Sequence, residues 1–158
     1  MVAALGPVPP TPFATYVVRG GHPGAELARR VERMVFGEVF GNTPEILDAE
    51  YGPFDDSSLY FLLVDHRRAV AAGAVRVILP SAAGCKTAVD LATTWSQPDA
   101  IAAQGIDLRT TWDVATLAVM PSYRKRSTQG LVSMALYQAL CTTAAHSRAR
   151  WFLAVLDL

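Results

Sequence analysis

The sequence lacks the features that mark membrane, exported and metal-binding proteins. Two cysteines and three histidines among 158 residues give neither a disulfide framework nor a set of metal ligands at a recognisable spacing. Arg76 interrupts the longest apolar stretch, so no segment reaches the ~18 uncharged residues of a membrane span. The N-terminal residues have neither the basic start nor the apolar core of a signal peptide. We therefore expect a cytoplasmic protein with no metal centre and no membrane span.

An excess of charge of either sign is also missing. The 14 lysines and arginines balance 14 aspartates and glutamates, while 51% of the residues are hydrophobic. Domains that bind nucleic acids usually carry a net positive charge, so we expect no nucleic-acid partner. A chain within the ~100–200 residues typical of one domain is long enough to bury a sizeable core. Any basic site must therefore be local.

The periodicity of the apolar residues predicts the order β, α, loop, β, β, loop, β, α, β. The predicted elements are strand 14–19, a helix from 25 to about 41, loop 42–57, strands 59–64, 70–79 and 111–120, a helix from 127, and strand 151–156. Short helices are expected near 87–93 and 98–104 in the second loop, and loop 42–57 is expected to contain a helical turn at 45–49. The last two strands should be parallel, because a helix connects them in a crossover. An irregular arm over residues 1–13, rich in proline, should precede one domain over 14–158.

Three cations lie where the second long helix is predicted to begin. Arg124, Lys125 and Arg126 directly precede Ser127, whose hydroxyl is of the type that caps helices. A helix N-terminus carries partial positive charge, so cations are unfavourable there, and a bound phosphate would turn this repulsion into attraction. The cluster indicates either a phosphate-binding site or a solvated basic loop.

Four segments occur in the order found in one known family. With the family's pattern in parentheses, they are Arg33 with Phe36 (Arg-x-x-Phe), 50–55 (Glu-x-Asp-x-Phe-Asp, matched at Phe54 and Asp55), 76–80 (Arg-Leu-Leu-Pro) and 112–119 (Trp-Glu-x-Ser/Thr-Arg-Phe/Leu-x-Val). Together they resemble acyl-homoserine-lactone synthases and related N-acyl amino acid synthases of the GNAT acyltransferase superfamily. The resemblance runs from about residue 29 to the C-terminus.

The resemblance implies an α/β (α+β) fold with a mixed central sheet, flanking helices and splayed parallel strands. It also implies a thioester co-substrate, either acyl-CoA or acetyl-CoA, or an acyl carrier protein. The pantetheine arm is expected along Leu117, Ala118 and Val119. The phosphate is expected at Arg124, Lys125, Arg126, Ser127, Thr128, Gln129 and Gly130. Glycine is absent from this loop before Gly130, which suits the single phosphate of a carrier protein at least as well as coenzyme A.

The implied reaction is N-acyl transfer to the primary amine of an amino-acid-like or other small molecule. Asp113 matches the family's strand carboxylate and is expected to be the general base or the anchor of the amine. The alternative for Asp113 is a strand-edge residue that faces water. Asp55 is expected to be a second amine-binding carboxylate, or else part of an ordinary turn. A charge among β residues needs a partner, so Arg76 should pair with Asp113 or Asp55, for a structural or a substrate-binding role.

Two departures from the family pattern support a second hypothesis. Thr116 stands where the family has arginine, and Gly52 stands where it has an acidic residue. The C-terminal strands of the superfamily's sheet are also missing. Either a partner, such as a second copy in a homo-oligomer, completes the sheet, or the sequence is part of a longer one. The alternative function is therefore a catalytically degenerate protein that binds acyl thioesters.

Overall fold

Five strands form one mixed sheet, with the strand order β1-β2-β3-β4-β5. A computed structural model describes residues 5–6, 11–94, 96, 99–124 and 130–155. The elements are β1 (Phe13–Arg19), α1 (Ala25–Phe40), α2 (Pro44–Tyr51), a 3-10 helix (Gly52–Ser57), β2 (Ser58–Asp65), β3 (Val70–Ile78), α3 (Lys86–Thr93), α4 (Ala100–Ala103), a 3-10 turn (Leu108–Thr110), β4 (Thr111–Val119), a 3-10 turn (Pro121–Tyr123), α5 (Leu131–Ala145) and β5 (Trp151–Leu153).

The predicted mixed α/β architecture is confirmed. Strands β1 to β4 are antiparallel neighbours, and β4 and β5 are parallel, as the crossover requires. Helix α1 packs on one face of the sheet and α5 on the other. All eight residues of β2 are buried, because their side chains alternate between the two helical layers. Leu59, Phe61 and Leu63 face α5.

The segment 42–57, predicted as a long loop with a helical turn at 45–49, is mostly helical: it forms α2, which includes that turn, and a 3-10 helix. The hydroxyl of Thr43 accepts a hydrogen bond from the N–H of Ile46 at 3.3 Å, and Pro44 occupies the first turn. A helix of eight residues is marginal by itself. It is stabilised here by the burial of Leu47 and Tyr51, which local sequence patterns do not reveal.

The predicted start of the last helix is also corrected. Helix α5 begins at Leu131, and its N-cap is Gly130, whose φ of 76° is in the left-handed region that favours glycine. Residues 125–129, which include the predicted N-cap Ser127, lie outside the described part of the chain. Strand β5 ends at Leu153, which is earlier than predicted. Within the described ranges, no helix has both the length and the apolar character that crossing a membrane requires.

Candidate functional site

A β-bulge in β4 determines which of its side chains share a face. Arg76 of β3 lies opposite Thr116, and Val77 lies opposite Val114, so Ala115 is an extra residue in β4. Such a bulge interrupts the two-residue alternation and increases the local twist. It places Thr116 on the α1 face of the sheet, where its hydroxyl reaches Glu32 of α1.

The parallel pairing of β4 and β5 stops after three residue pairs, the last of which is Asp113 with Leu153. The N–H of Met120 donates to the carbonyl of Ala72 in β3, so this N–H points toward β3. Backbone groups alternate along a strand, and those of Leu117 and Val119 therefore point away from β3. In the described structure, this edge of β4 has no strand beside it. The side chain of Arg124 donates from Nε to the carbonyl of Val119 at 2.6 Å.

A buried ion pair lies beside this edge, on the α1 face. Arg76 donates from Nε and Nη2 to the two carboxylate oxygens of Glu32, at 3.0 and 2.6 Å. Only 4% of Arg76 and 3% of Glu32 are exposed to solvent. Burial opposes the charge of Arg76, but the bonds to Glu32 outweigh it and raise the pKa of Arg76 above its ordinary value.

Two aromatic rings enclose the guanidinium of Arg76. Its central carbon lies 4.6 Å from the ring centroid of Tyr51 and 4.9 Å from that of Tyr60. These distances are those of cation–π contacts. Burial raises the pKa of both phenols, an effect that the nearby carboxylates strengthen. Both tyrosines therefore remain protonated at neutral pH and can donate hydrogen bonds.

The prediction that Arg76 pairs with Asp113 or Asp55 is confirmed in part: Asp55 is an ion-pair partner, but the main partner of Arg76 is Glu32. Asp55 is a weaker neighbour, with 3.8 Å between its Oδ1 and Nη1 of Arg76. Glu32 is not among the residues that the sequence predicts for the site. However, Glu32 follows Ala28 by four residues and precedes Val35 by three, which is the spacing of the buried stripe. This spacing was the signal that could have identified it.

A pocket of ≈ 340 Å³ opens next to this ion pair. It is lined by Glu26, Arg29, Arg33, Leu47, Asp48, Tyr51, Gly52, Asp55 and Arg76. Arginines and carboxylates of the lining bind one another. Asp55 accepts hydrogen bonds from Nη2 of Arg29 at 2.5 Å and from the hydroxyl of Tyr60 at 3.2 Å. Arg33 donates to Glu26 at 2.8 Å and to Asp48 at 3.1 Å.

Asp113 lies in a different place, at the N-terminus of α3. Its carboxylate accepts the N–H of Thr87 at 2.7 Å, the hydroxyl of Thr87 at 2.8 Å, and the thiol of Cys85 at 3.2 Å. Thr87 is the second residue of α3, whose own N-cap residue has no side-chain cap. Asp113 therefore caps α3 from a distant point in the sequence. It lines a second pocket, of ≈ 330 Å³, together with Cys85.

The thiol of Cys85 is not a nucleophile in this setting. Burial, with the charge of Asp113 as the second cause, raises the pKa of Cys85 to about 12. The thiolate is the reactive form of cysteine, and at neutral pH it is almost absent here. Cys141, the other cysteine, is exposed on α5. Neither cysteine offers a carrier for an acyl group next to the pocket that Asp55 lines.

The sequence-predicted residues that the structure describes therefore fall into four places. Asp55 and Arg76 meet at the first pocket. Leu117 and Val119 form the open edge of β4 with Arg124, whereas Ala118 is buried and pairs with Ala74 of β3. Asp113 caps α3, and Gly130 is the N-cap of α5. Lys125, Arg126, Ser127, Thr128 and Gln129 lie outside the described residues.

The sequence matches no protein-family model and no curated protein. Its fold, however, is similar to solved acetyltransferase structures. An aminoglycoside acetyltransferase from an uncultured soil metagenomic sample, solved with sisomicin, is 11% identical, covers 92% of this chain and 78% of its own, and has a TM-score of 0.51. Ribosomal-protein-alanine N-acetyltransferase from Brucella melitensis biovar Abortus 2308 is 12% identical, with 90% of this chain and 78% of its own chain covered and a TM-score of 0.52.

A GNAT-family protein from Desulfovibrio desulfuricans is also similar, with 19% identity, 89% of this chain and 72% of its own chain covered, and a TM-score of 0.50. Identities this low relate the folds and leave the reaction open. The closer resemblance to acyl-homoserine-lactone synthases stays a prediction. From its strand order, its parallel β4–β5 pair and these structural neighbours, the chain has the GNAT acetyltransferase fold.

Proposed function

We propose that this domain transfers an acyl group from a thioester to the primary amine of a small molecule. The observation that carries the proposal is the position of the polar pocket beside the open edge of β4. Arg76, which lines the pocket, lies opposite Thr116, the residue before Leu117. A thioester bound along the edge would therefore present its carbonyl close to an amine bound in the pocket.

The open edge suits the donor, which would be an acyl-CoA or acetyl-CoA, or an acyl carrier protein. A pantetheine arm is an extended chain with two amide groups, and it can continue the sheet where β5 stops. Leu117 and Val119 would supply the backbone donors and acceptors. Arg124 would bind the phosphate at the end of the arm, together with the N–H groups of α5 after Gly130 and the predicted loop residues 125–129.

Asp55 is the carboxylate that we assign to the amine. It lines the pocket and is partly exposed, so an incoming ammonium can reach it. Its bonds to Arg29 and Tyr60 hold it in position, and it can anchor the amine or accept its proton. Asp113, which the family resemblance suggests as the base, already accepts three hydrogen bonds at the start of α3. We therefore expect Asp113 to stabilise the fold.

The cysteines support direct attack of the amine on the thioester. A mechanism with an acyl-cysteine intermediate needs a thiolate next to the donor. Cys85 has a pKa of about 12 and contacts Asp113, and Cys141 is exposed on α5. The proposed reaction is therefore a single transfer between two bound substrates. The amine nitrogen forms a bond to the carbonyl carbon, the carbon–sulfur bond breaks, and the proton lost by the amine balances the one that the leaving thiolate takes up as it becomes a thiol.

Binding of the donor tests the first half of the proposal. Thermal stability is measured with acetyl-CoA, longer acyl-CoA species and acyl carrier protein, because a ligand at 100 times its Kd adds ~2.7 kcal/mol to the free energy of unfolding. We expect stabilisation by at least one thioester and a weaker effect in Arg124→Ala. Arg148→Ala is the matched control, since Arg148 is exposed after α5. Stabilisation by no thioester would overturn the proposal.

Release of free thiol from the bound thioester, measured with a panel of primary amines, tests the second half. We expect Asp55→Asn to lower kcat/KM by about 100-fold, a typical loss when a proton acceptor is removed, with binding of the thioester unchanged. Asp56→Asn, at the exposed neighbouring position, should match the wild type. Thioester binding without thiol release for any amine would favour the alternative function, a degenerate thioester-binding protein.

A further inference from the structure

The side chain of Arg124 occupies part of the open edge of β4. Its Nε donates to the carbonyl of Val119 at 2.6 Å. This carbonyl points away from β3, so the guanidinium lies on the side where, at this point of β4, the described structure has no other strand. Neighbouring strands lie ~4.8 Å apart, and the N–H donor of an added chain stands ~2.9 Å from the carbonyl oxygen. Nε of Arg124 therefore takes the place of an amide nitrogen of a chain bound along this edge.

The fold fixes the backbone next to Arg124 and leaves the side chain of Arg124 free to rotate. The 3-10 turn Pro121–Tyr123 ends at Arg124. Tyr123 anchors this turn, because its ring is buried and its hydroxyl donates to the carboxylate of Asp65 at 2.7 Å. The side chain of Arg124, in contrast, is exposed to solvent. Rotation of this side chain alone can therefore uncover the carbonyl of Val119.

The carbonyl of Val119 is a weak partner for a guanidinium. Arginine binds a carboxylate or a phosphate more strongly than a neutral carbonyl, because both partners then carry charge and two hydrogen bonds form in parallel. Among the described residues, no carboxylate lies within ion-pair distance of Arg124. A phosphate at the end of a pantetheine arm therefore offers Arg124 a stronger partner than the one it has. The movement toward that phosphate also frees the acceptor that the arm needs.

We propose that Arg124 makes the donor site selective for thioesters that carry a phosphate. This inference rests on the proposed function. Without a phosphate, the guanidinium competes with the pantetheine arm for the carbonyl of Val119. With a phosphate, the guanidinium leaves the carbonyl, and the arm binds there. The binding of the phosphate and the binding of the arm therefore strengthen each other by the same factor.

The first test uses the unmodified protein and two thioesters that differ only in the phosphate, S-acetylpantetheine and S-acetylphosphopantetheine. Their Kd values are measured by titration calorimetry, in inorganic phosphate and in sodium chloride of the same ionic strength. We expect inorganic phosphate to lower the Kd of S-acetylpantetheine by about two- to ten-fold, which is the range of one hydrogen bond. A Kd that inorganic phosphate raises or leaves unchanged would overturn the inference.

Arg124→Ala links this effect to the residue. The substitution frees the carbonyl of Val119 and removes the phosphate ligand, so the two Kd values should change in opposite directions. We expect a fall of about two- to ten-fold for S-acetylpantetheine and a rise of about three-fold or more for S-acetylphosphopantetheine. Inorganic phosphate should no longer affect the first value. Arg148→Ala, the exposed control, should leave both values unchanged.

The outcomes separate this inference from the proposed function. If Arg124→Ala weakens the binding of S-acetylphosphopantetheine and leaves that of S-acetylpantetheine unchanged, Arg124 only binds the phosphate. The inference is then overturned, and the proposed function stands. If neither thioester binds to the wild type or to Arg124→Ala, the proposed function is overturned as well.

Discussion

The two pockets contain similar groups, but those groups have different partners. At α3, every contact of the Asp113 carboxylate comes from donors that the fold itself provides. At the pocket that Asp55 and Arg76 line, Arg76 and Arg33 each retain a buried donor without a partner in the described structure. The first arrangement is complete in the folded chain, and the second keeps two buried donors without a partner among the described residues. Burial of a charge therefore does not by itself identify a functional site.

The largest expected effect comes from breaking the Arg76–Glu32 pair. Arg76→Ala leaves the carboxylate of Glu32 buried and uncompensated, so the free energy of unfolding should fall by about 3–5 kcal/mol. Unfolding in urea, followed by circular dichroism, measures this loss. Arg30→Ala, at an exposed position of α1, is the control and should cost less than about 0.5 kcal/mol.

A double variant separates stability from function at the same pair. Glu32→Leu/Arg76→Met replaces the ion pair with apolar side chains of similar size, which often restores the stability that a single change loses. We expect recovery of most of the unfolding free energy and little thiol release from any amine. A double variant that regains stability and turns over normally would mean that Arg76 has only a structural role.

The second pocket can be tested through the reactivity of Cys85. Burial raises the pKa of Cys85 from 9.0 to about 12. At pH 8, its thiolate fraction is therefore about a thousand-fold lower than that of a cysteine with the ordinary pKa. In Cys141→Ser, alkylation of the folded protein should be slower than that of the unfolded chain by at least about ten-fold, because the higher nucleophilicity of a less acidic thiol offsets part of this difference. Asp113→Asn should speed it, because the negative charge of Asp113 contributes to the raised pKa. Equal rates in the folded and unfolded chains would contradict the buried contact with Asp113.

Asp113→Asn also tests the two roles considered for this carboxylate. As a cap of α3, it should contribute about 1–2 kcal/mol to stability, and the variant should retain kcat/KM within about three-fold at a temperature where it is folded. The measurements are urea unfolding and thiol release on the same preparation. A folded Asp113→Asn protein whose kcat falls by 100-fold would instead make Asp113 the base that the family resemblance implies.

The sequence predicted the long periodic elements well and the local irregularities poorly. The strands and the two long helices follow their apolar spacing, and the end of α1 at Gly41 follows from a glycine with φ of 71°. Helix α2 was predicted only as a helical turn at 45–49, because the segment is rich in proline and carboxylates and its helix is stabilised by the burial of Leu47 and Tyr51.

The candidate site depended on contacts that spacing along the chain does not encode. Glu32 and Arg76 are 44 positions apart, and Thr87 and Asp113 are 26 apart. The bulge at Ala115 arises from the register of two strands, so no single-strand pattern predicts it. Asp55 and Arg76 could be singled out because one matches a family motif and the other is a charge within a strand. Which carboxylate pairs with which donor required the tertiary structure.

The smallest expected effects provide the sharpest comparison of the two carboxylates. Tyr60→Phe and Thr87→Val each remove one hydroxyl that donates to a carboxylate, Asp55 in the first case and Asp113 in the second. Each lost hydrogen bond should cost about 0.5–1.5 kcal/mol. For Thr87→Val, the loss should appear in the free energy of unfolding alone, because Asp113 serves the fold. For Tyr60→Phe, kcat/KM should also fall, by about two- to ten-fold, because Asp55 then holds the amine less firmly. Urea unfolding and thiol release on both variants measure the four values. Equal effects on catalysis in the two variants would contradict the division between a structural and a functional carboxylate.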